Sequence, residues 1–201
     1  MSNQGIFTSF ETKTGIPVHV RPLVPQDAPF LVDLFENMGS ESRYSRFLQP
    51  ADHVDIDRIW IEAEHIAEGV VAGSYGLVAF VDLPEREDVP AGAARYVRLS
   101  PTRAELAVSV RDDMQNIGIG TNLLQQLIFH AAEHGVEQLL GTVQNSNTAM
   151  WTMLGKLEHR LERRPEGGYS VITIYIRDTD SRLEDWLDAA ADFSPEPQIV
   201  W

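Results

Sequence analysis

The amino-acid sequence predicts a mixed α/β (α+β) fold, and three observations predict it. Segments 105–110 and 169–177 place apolar residues in strand-like runs, while Leu123, Leu124, Leu127, Ile128 and Ala131 recur at helical spacing. Two further strand-like segments, 76–83 and 93–99, follow one another without a helix between them. Successive strands of that kind pair antiparallel, so the sheet is not built from repeated strand–helix units alone.

The elements follow in order. Ile16–Leu23 reads as a first strand, broken by Pro22 and Pro25. Phe30, Leu31, Leu34, Phe35 and Met38 then mark a helix from about Pro25 to Asn37, ended by Gly39. The polar and aromatic stretch 40–50 reads as a connection to a second helix carrying Ile56, Ile59, Trp60 and Ala63. The charged run 84–90 reads as a solvated loop between the two antiparallel strands. In the strand from Glu105 to Val110, Leu106, Val108 and Val110 face one way, and Glu105, Ala107 and Ser109 the other. A glycine turn and an amphipathic helix ending near Gly135 come next, then a strand from Val136 to Val143. Asn147 suits the N-cap of a helix whose buried side holds Met150, Met153, Leu154, Leu157 and Leu161. Glu166-Gly167-Gly168 reads as a turn into a final strand, Tyr169–Arg177. Ser181 and Glu184 have capping-box spacing, and Leu183, Trp186 and Leu187 form an apolar stripe that must pack on the domain or on another chain. The expected organisation is one domain over 1–178 with a short helix and tail over 179–201.

Composition narrows the function. With 201 residues and 43% apolar content, the chain can bury a core of its own. No apolar run approaches the roughly 18–20 residues of a membrane span, and the first residues lack a basic region followed by an apolar stretch. The absence of cysteine removes disulfides, thiolate metal sites and a cysteine nucleophile, and it fits a cytoplasmic location. A formal charge of −14 argues against nucleic-acid binding and favours either simple solubility or cationic partners such as amines.

The segment with the most chemistry runs from Val108 to Gly120: a strand, a glycine turn, a helix start. Unpartnered N–H groups and the helix dipole make such a turn a site for phosphate. A mononucleotide P-loop requires Lys-Ser or Lys-Thr after its last glycine, but Thr121-Asn122 follow here. A dinucleotide turn requires a third glycine where Leu123 stands. Gln115-Asn116-Ile117-Gly118-Ile119-Gly120 does satisfy Gln/Arg-x-x-Gly-x-Gly/Ala, the acyl-CoA turn of the GNAT N-acetyltransferases.

The chain resembles GNAT enzymes from about Val18 to Ile176. Arg21 to Ala28 resembles their opening strand and helix start, and Asn147-Thr148-Ala149-Met150 the opening of their later helix. Segments 40–47 and 104–108 are most similar to the lysine-acetyltransferase domains of bacterial Pat-type enzymes. The resemblance implies a mostly antiparallel sheet, splayed at an acyl-CoA cleft, with helices on both faces. It also implies acetyl-CoA as co-substrate, with no metal. The N–H groups of Asn116, Ile117, Gly118, Ile119, Gly120 and Thr121 would take the pyrophosphate. Val108, Ser109 and Val110 would pair with the pantetheine arm, and the Asn147 side chain would lie near it, the alternative for that asparagine being a plain helix cap.

Acetylation needs a neutral amine, and a lysine side chain has a pKa of about 10.4. By the same resemblance Glu105 is the candidate general base, directly or through water, and the Val110 N–H the oxyanion donor. The resemblance is incomplete. Where many GNAT enzymes have a tyrosine to protonate the leaving thiolate, this chain has Leu154, and Glu158-His159 stand where a Gly-Phe pair is usual. The acceptor implied is a protein lysine ε-amine, with a small-molecule amine, or a catalytically weak acyl-CoA sensor, as alternatives. Arg43, Tyr44, Arg46 and Phe47 are candidates for the acceptor side. His130-Ala131-Ala132-Glu133-His134 spells an inverted zinc-protease motif without an evident third ligand.

Overall fold

The computed structural model describes residues 8–47, 54–69 and 74–177. The expected helix and tail over 179–201 lie outside the described residues. Eight strands form one sheet in the order β1-β2-β3-β4-β5-β6-β8-β7. They are β1 (Thr8–Glu11), β2 (Pro17–Pro22), β3 (Ser74–Leu83), β4 (Arg86–Arg98), β5 (Arg103–Val110), β6 (Gln138–Gln144), β7 (Arg160–Glu166) and β8 (Tyr169–Tyr175). Every neighbouring pair is antiparallel except β5 with β6. The helices are α1 (Ala28–Glu36), α2 (Ser40–Phe47), α3 (Ile56–Gly69), α4 (Ile119–Glu133) and α5 (Thr148–Leu154).

Strand alternation sends side chains to two cores. Along β3, Val78 and Phe80 pack with Leu23 and, through Phe30, Leu31 and Ile66, meet α1 and α3. Ala79 and Val81 join a larger cluster with Leu123, Leu124, Leu127 and Ile128 of α4. Those α4 residues are almost wholly buried, and each such Leu or Ile contributes roughly 1.5–3 kcal/mol relative to exposure. At its end, α4 closes on Gly135 at φ 80°, and the Val136 N–H returns to the Ala131 carbonyl at 2.9 Å. On the other face, Ala28, Val32 and Phe35 of α1 meet Ile59, Ala63 and Ala67 of α3. Arg21 fixes the entry to α1 by a two-pronged pair with buried Asp27, at 2.6 and 2.8 Å.

Four expectations are corrected. Segment 40–47 is helical rather than a connection; α2 buries no residue fully, so it lacks the apolar stripe that marks a helix in sequence. The charged run 84–90 is mostly strand: β4 begins at Arg86, and its first three residues, Arg86, Glu87 and Asp88, are exposed. The helix capped by Asn147 stops at Leu154, and Leu161 lies on β7. Leu157 and Leu161 are four residues apart, a spacing compatible with either helix or strand period. Their segment became an edge strand with Arg160, Glu162, Arg164 and Pro165 exposed, features that keep a sheet edge from pairing further. Strand β1 is the fourth; its hairpin partner is β2, through a turn with Gly15 at φ 81°.

Candidate active site

A fork in the sheet creates the site. Strands β5 and β6 pair over three residues only, Arg103–Glu105 against Gln138–Leu140. Beyond Glu105 they part: β5 stays with β4 to Val110, while β6 follows β8 to Gln144. The Arg111 N–H donates to Ala91 on the β4 side at 3.1 Å. Alternation along an antiparallel strand therefore turns the N–H and C=O groups of Val108 and Val110 toward the opened edge. Such an edge can accept an extended ligand as an added strand.

The glycine turn closes one end of this edge. Asn116 (φ 64°) and Gly118 (φ 109°) have positive φ, and Gly118 is the N-cap of α4. The first helical N–H groups, from Ile119 onward, have no partner within the helix. The two glycines serve different ends. A Cβ on Gly118 would meet nothing within 4 Å, whereas one on Gly120 would lie 3.3 Å from both Met153 Sδ and Val110 Cγ2. Gly120 thus lets α4 approach β5 and α5, and Gly118 shapes the turn. Polar contacts hold the turn in place. Gln115 Nε2 donates to Val110 O (3.2 Å), Ser42 Oγ (3.0 Å) and Asp112 Oδ1 (3.1 Å). The buried Arg111 guanidinium grips Asp113 and reaches Asn37 Oδ1 at 3.1 Å. The Lys13 N–H, in the turn after β1, donates to Ile117 O at 3.0 Å.

A pocket lies under α1, α2 and α3, on the sheet face that carries Glu105, Ala107 and Ser109. It is lined by Phe35, Phe47, Ile59 and Ala63 from the helices and by Arg95, Ala107 and Ser109 from the sheet. Of the four acceptor-side candidates, Arg46 and Phe47 line it. Arg43 instead lies over the Phe35 ring at 4.3 Å, and Tyr44 is exposed. Helix α2 spans the opened fork with polar contacts: Ser42 to Gln115, Ser45 Oγ to Gln144 Oε1 (2.9 Å), and Arg46 Nε to Ser109 Oγ (3.1 Å). Burial, reinforced by the positive charge of Arg95, lowers the Arg46 pKa to about 9, against the opposing influence of Glu105. Burial likewise lowers the Arg95 pKa to about 10, opposed by Glu105 and Glu62. Both remain charged at neutral pH. Arg95 carries little signal in the sequence, where it is one arginine after the small residues of Ala91-Gly92-Ala93-Ala94.

Across the fork, Asn147 caps α5: its Oδ1 accepts from the Met150 N–H at 2.9 Å. Leu154 is buried in the core, with no hydroxyl to offer the cleft. His130 and His134 lie away from the fork. The His130 ring stacks between Tyr75 (3.3 Å) and His134 (3.9 Å), and its Nδ1 lies 3.2 Å from the Tyr96 hydroxyl. The His134 Nδ1 contacts the His130 carbonyl at 2.8 Å. No group of three or more potential metal-holding side chains occurs among the described residues.

Burial, His134 and Arg98 lower the His130 pKa from 6.5 to about 4. Between those values the unfolded chain binds more protons than the folded one. The stability gained from the neutral ring is present above about pH 6.5 and declines as pH falls toward about 4. Thermal unfolding across that window should show a shallower decline for His130→Gln than for wild type; parallel curves would contradict it.

These features agree with known proteins. The model of the family described as "Acetyltransferase (GNAT) family" matches residues 41–158, more than half of the chain. Acetyltransferase Pat from Mycolicibacterium smegmatis is 27% identical over 162 residues, covering 73% of this chain and 42% of that protein. The chain thus spans about two fifths of the length of this curated relative. The GNAT domain of S. lividans PAT superposes with a TM-score of 0.68 at 23% identity, covering 83% of this chain and 94% of that one. The PaiA N-acetyltransferase of Thermoplasma acidophilum, solved in complex with coenzyme A, superposes with a TM-score of 0.60 at 17% identity, covering 79% and 98%. At these identities the structural likenesses establish the fold. No described helix is long and apolar enough to cross a membrane.

Proposed function

Because the chain belongs to the GNAT family of acetyltransferases, we propose that it moves an acetyl group from acetyl-CoA to a primary amine, foremost a protein lysine ε-amine. The observation that carries this reading is the parting of β5 and β6 just after Glu105, which leaves a free strand edge running into a glycine turn. In the proposed complex, the N–H groups from Asn116 to Thr121 hold the pyrophosphate, and Val108, Ser109 and Val110 align the pantetheine arm. The lysine preference draws support from the likeness to Pat.

The reaction needs one bond made and one broken. The amine nitrogen attacks the acetyl carbonyl carbon, the C–N bond forms, and the C–S bond breaks. Glu105 takes the amine proton. Five residues separate Glu105 from Val110, about 16 Å of extended strand, so the proton reaches Glu105 through water if the Val110 N–H stabilises the oxyanion. The Val108 N–H faces the same edge, two residues nearer. No cysteine exists to carry the acetyl group, so transfer is direct within a ternary complex. The departing thiolate leaves without a tyrosine acid at position 154; a thiol pKa of about 8.5 makes that tolerable.

Calorimetry with acetyl-CoA tests the binding half, and coenzyme A release with lysine peptides and small amines tests the catalytic half. Absence of heat with acetyl-CoA would sink the assignment. Buried Leu154 motivates a second reading, an acyl-CoA-binding module with weak or no turnover. Binding without thiol release across the panel favours it.

Asn147 permits a separation of roles. Asn147→Ala should destabilise the protein by about 0.5–2 kcal/mol through loss of the cap. Asn147→Asp keeps a capping oxygen and removes the amide donors, so its stability should stay near wild type while acetyl-CoA binds several-fold more weakly. Unchanged affinity in Asn147→Asp would confine Asn147 to the cap.

A further inference from the structure

We propose that Arg95 is the receptor for a carboxylate carried by the acceptor, a subsite that rests on the acetyl-transfer reading. Arg95 stands on β4 opposite Ala107, one diagonal step from Glu105 and on the same face of the sheet. It lines the pocket beneath α1–α3. Its Nε is shut off from solvent and has no hydrogen-bond partner. Among the described residues, no ion pair engages its guanidinium. The chain satisfies other enclosed guanidiniums from its own resources: Arg21 with Asp27, Arg111 with Asp113. Arg103 also has an unpartnered Nε, but it stands at the closed end of the fork and does not line the pocket.

A charge withdrawn from water without a contact partner is costly, so an enclosed and unpaired guanidinium in an open pocket is poised for an anion from outside. A planar guanidinium matches a carboxylate through two parallel hydrogen bonds. The surrounding small side chains, Ala93 and Ala107, leave room for that approach. The chemistry sharpens the need. When Glu105 takes the amine proton it loses its negative charge, and with it goes one of the influences that favour the charged form of Arg95. A carboxylate on the acceptor offsets the Arg95 charge at that moment. Such a carboxylate can belong to a free amino acid or to an acidic residue beside the target lysine in a polypeptide.

Paired acceptors distinguish the sources. Free lysine against lysinamide tests the first, and a lysine peptide with glutamate beside the lysine against the same peptide with glutamine tests the second. With acetyl-CoA saturating, wild type should favour the carboxylate member of one pair by about tenfold or more in kcat/KM, chiefly through KM. Arg95→Met should bring that ratio to about one, with acetyl-CoA affinity unchanged. Its melting temperature should equal or exceed that of wild type, because an unpaired enclosed charge has been removed. No preference in wild type, a preference that survives in Arg95→Met, no turnover of either pair despite acetyl-CoA binding, or a melting temperature several degrees below wild type would each overturn the proposal. Failure of wild type to bind acetyl-CoA would instead overturn the reading on which it rests.

Discussion

Gly118→Glu should weaken acetyl-CoA binding at least a hundredfold, a loss of about 2.7 kcal/mol or more in calorimetry, while the protein stays folded. A Cβ at position 118 would meet nothing within 4 Å, so the side chain leaves the backbone without a clash. It does place a carboxylate at the N-terminus of α4, where it would compete for the N–H groups assigned to the pyrophosphate and repel that group. Backbone strain is the competing effect. With φ at 109°, any side chain here costs roughly 1–2 kcal/mol of stability, part of which the favourable charge–dipole contact offsets. Gly118→Ala carries the strain without the charge. It should lower the melting temperature by a few degrees and weaken binding far less than the glutamate variant. Wild-type affinity in Gly118→Glu would move the phosphate site elsewhere.

Glu105→Gln should lower turnover by about 10²- to 10⁴-fold with acetyl-CoA affinity within twofold of wild type. Glutamine preserves the size of the side chain and its place at the last β5–β6 ladder position, so the fork should keep its shape. What it removes is the capacity to take a proton. It also removes the negative charge that opposes the lowering of the Arg46 and Arg95 pKa values, so a melting curve belongs beside the kinetics. Turnover within a few-fold of wild type would remove Glu105 from proton transfer.

The two experiments probe parts of the site that differed in legibility. The glycine turn could be read locally, because Gln115, Gly118 and Gly120 lie within six residues and their spacing states a backbone shape. The same holds for the Asn147 cap, where one side chain meets an N–H three residues on. The strand bearing Glu105 was legible from alternation, which also assigned Glu105, Ala107 and Ser109 to one face. Helix α2 was not legible, since it buries no residue fully and its polar contacts reach Ser109, Gln115 and Gln144, distant in sequence. Strand β7 was hidden by a leucine spacing that suits two periods.

The sequence by itself determined the order of most elements, the turn chemistry and the kinship that these motifs carry, because each depends on residues within a turn or two of one another. Tertiary structure alone decided where β5 and β6 part, that α2 spans the opening, and that Arg95 and Arg46 line one pocket on the sheet face that carries Glu105. Those outcomes depend on strand register and on contacts across tens of residues. A one-dimensional pattern carries no record of which charge ends up enclosed beside which.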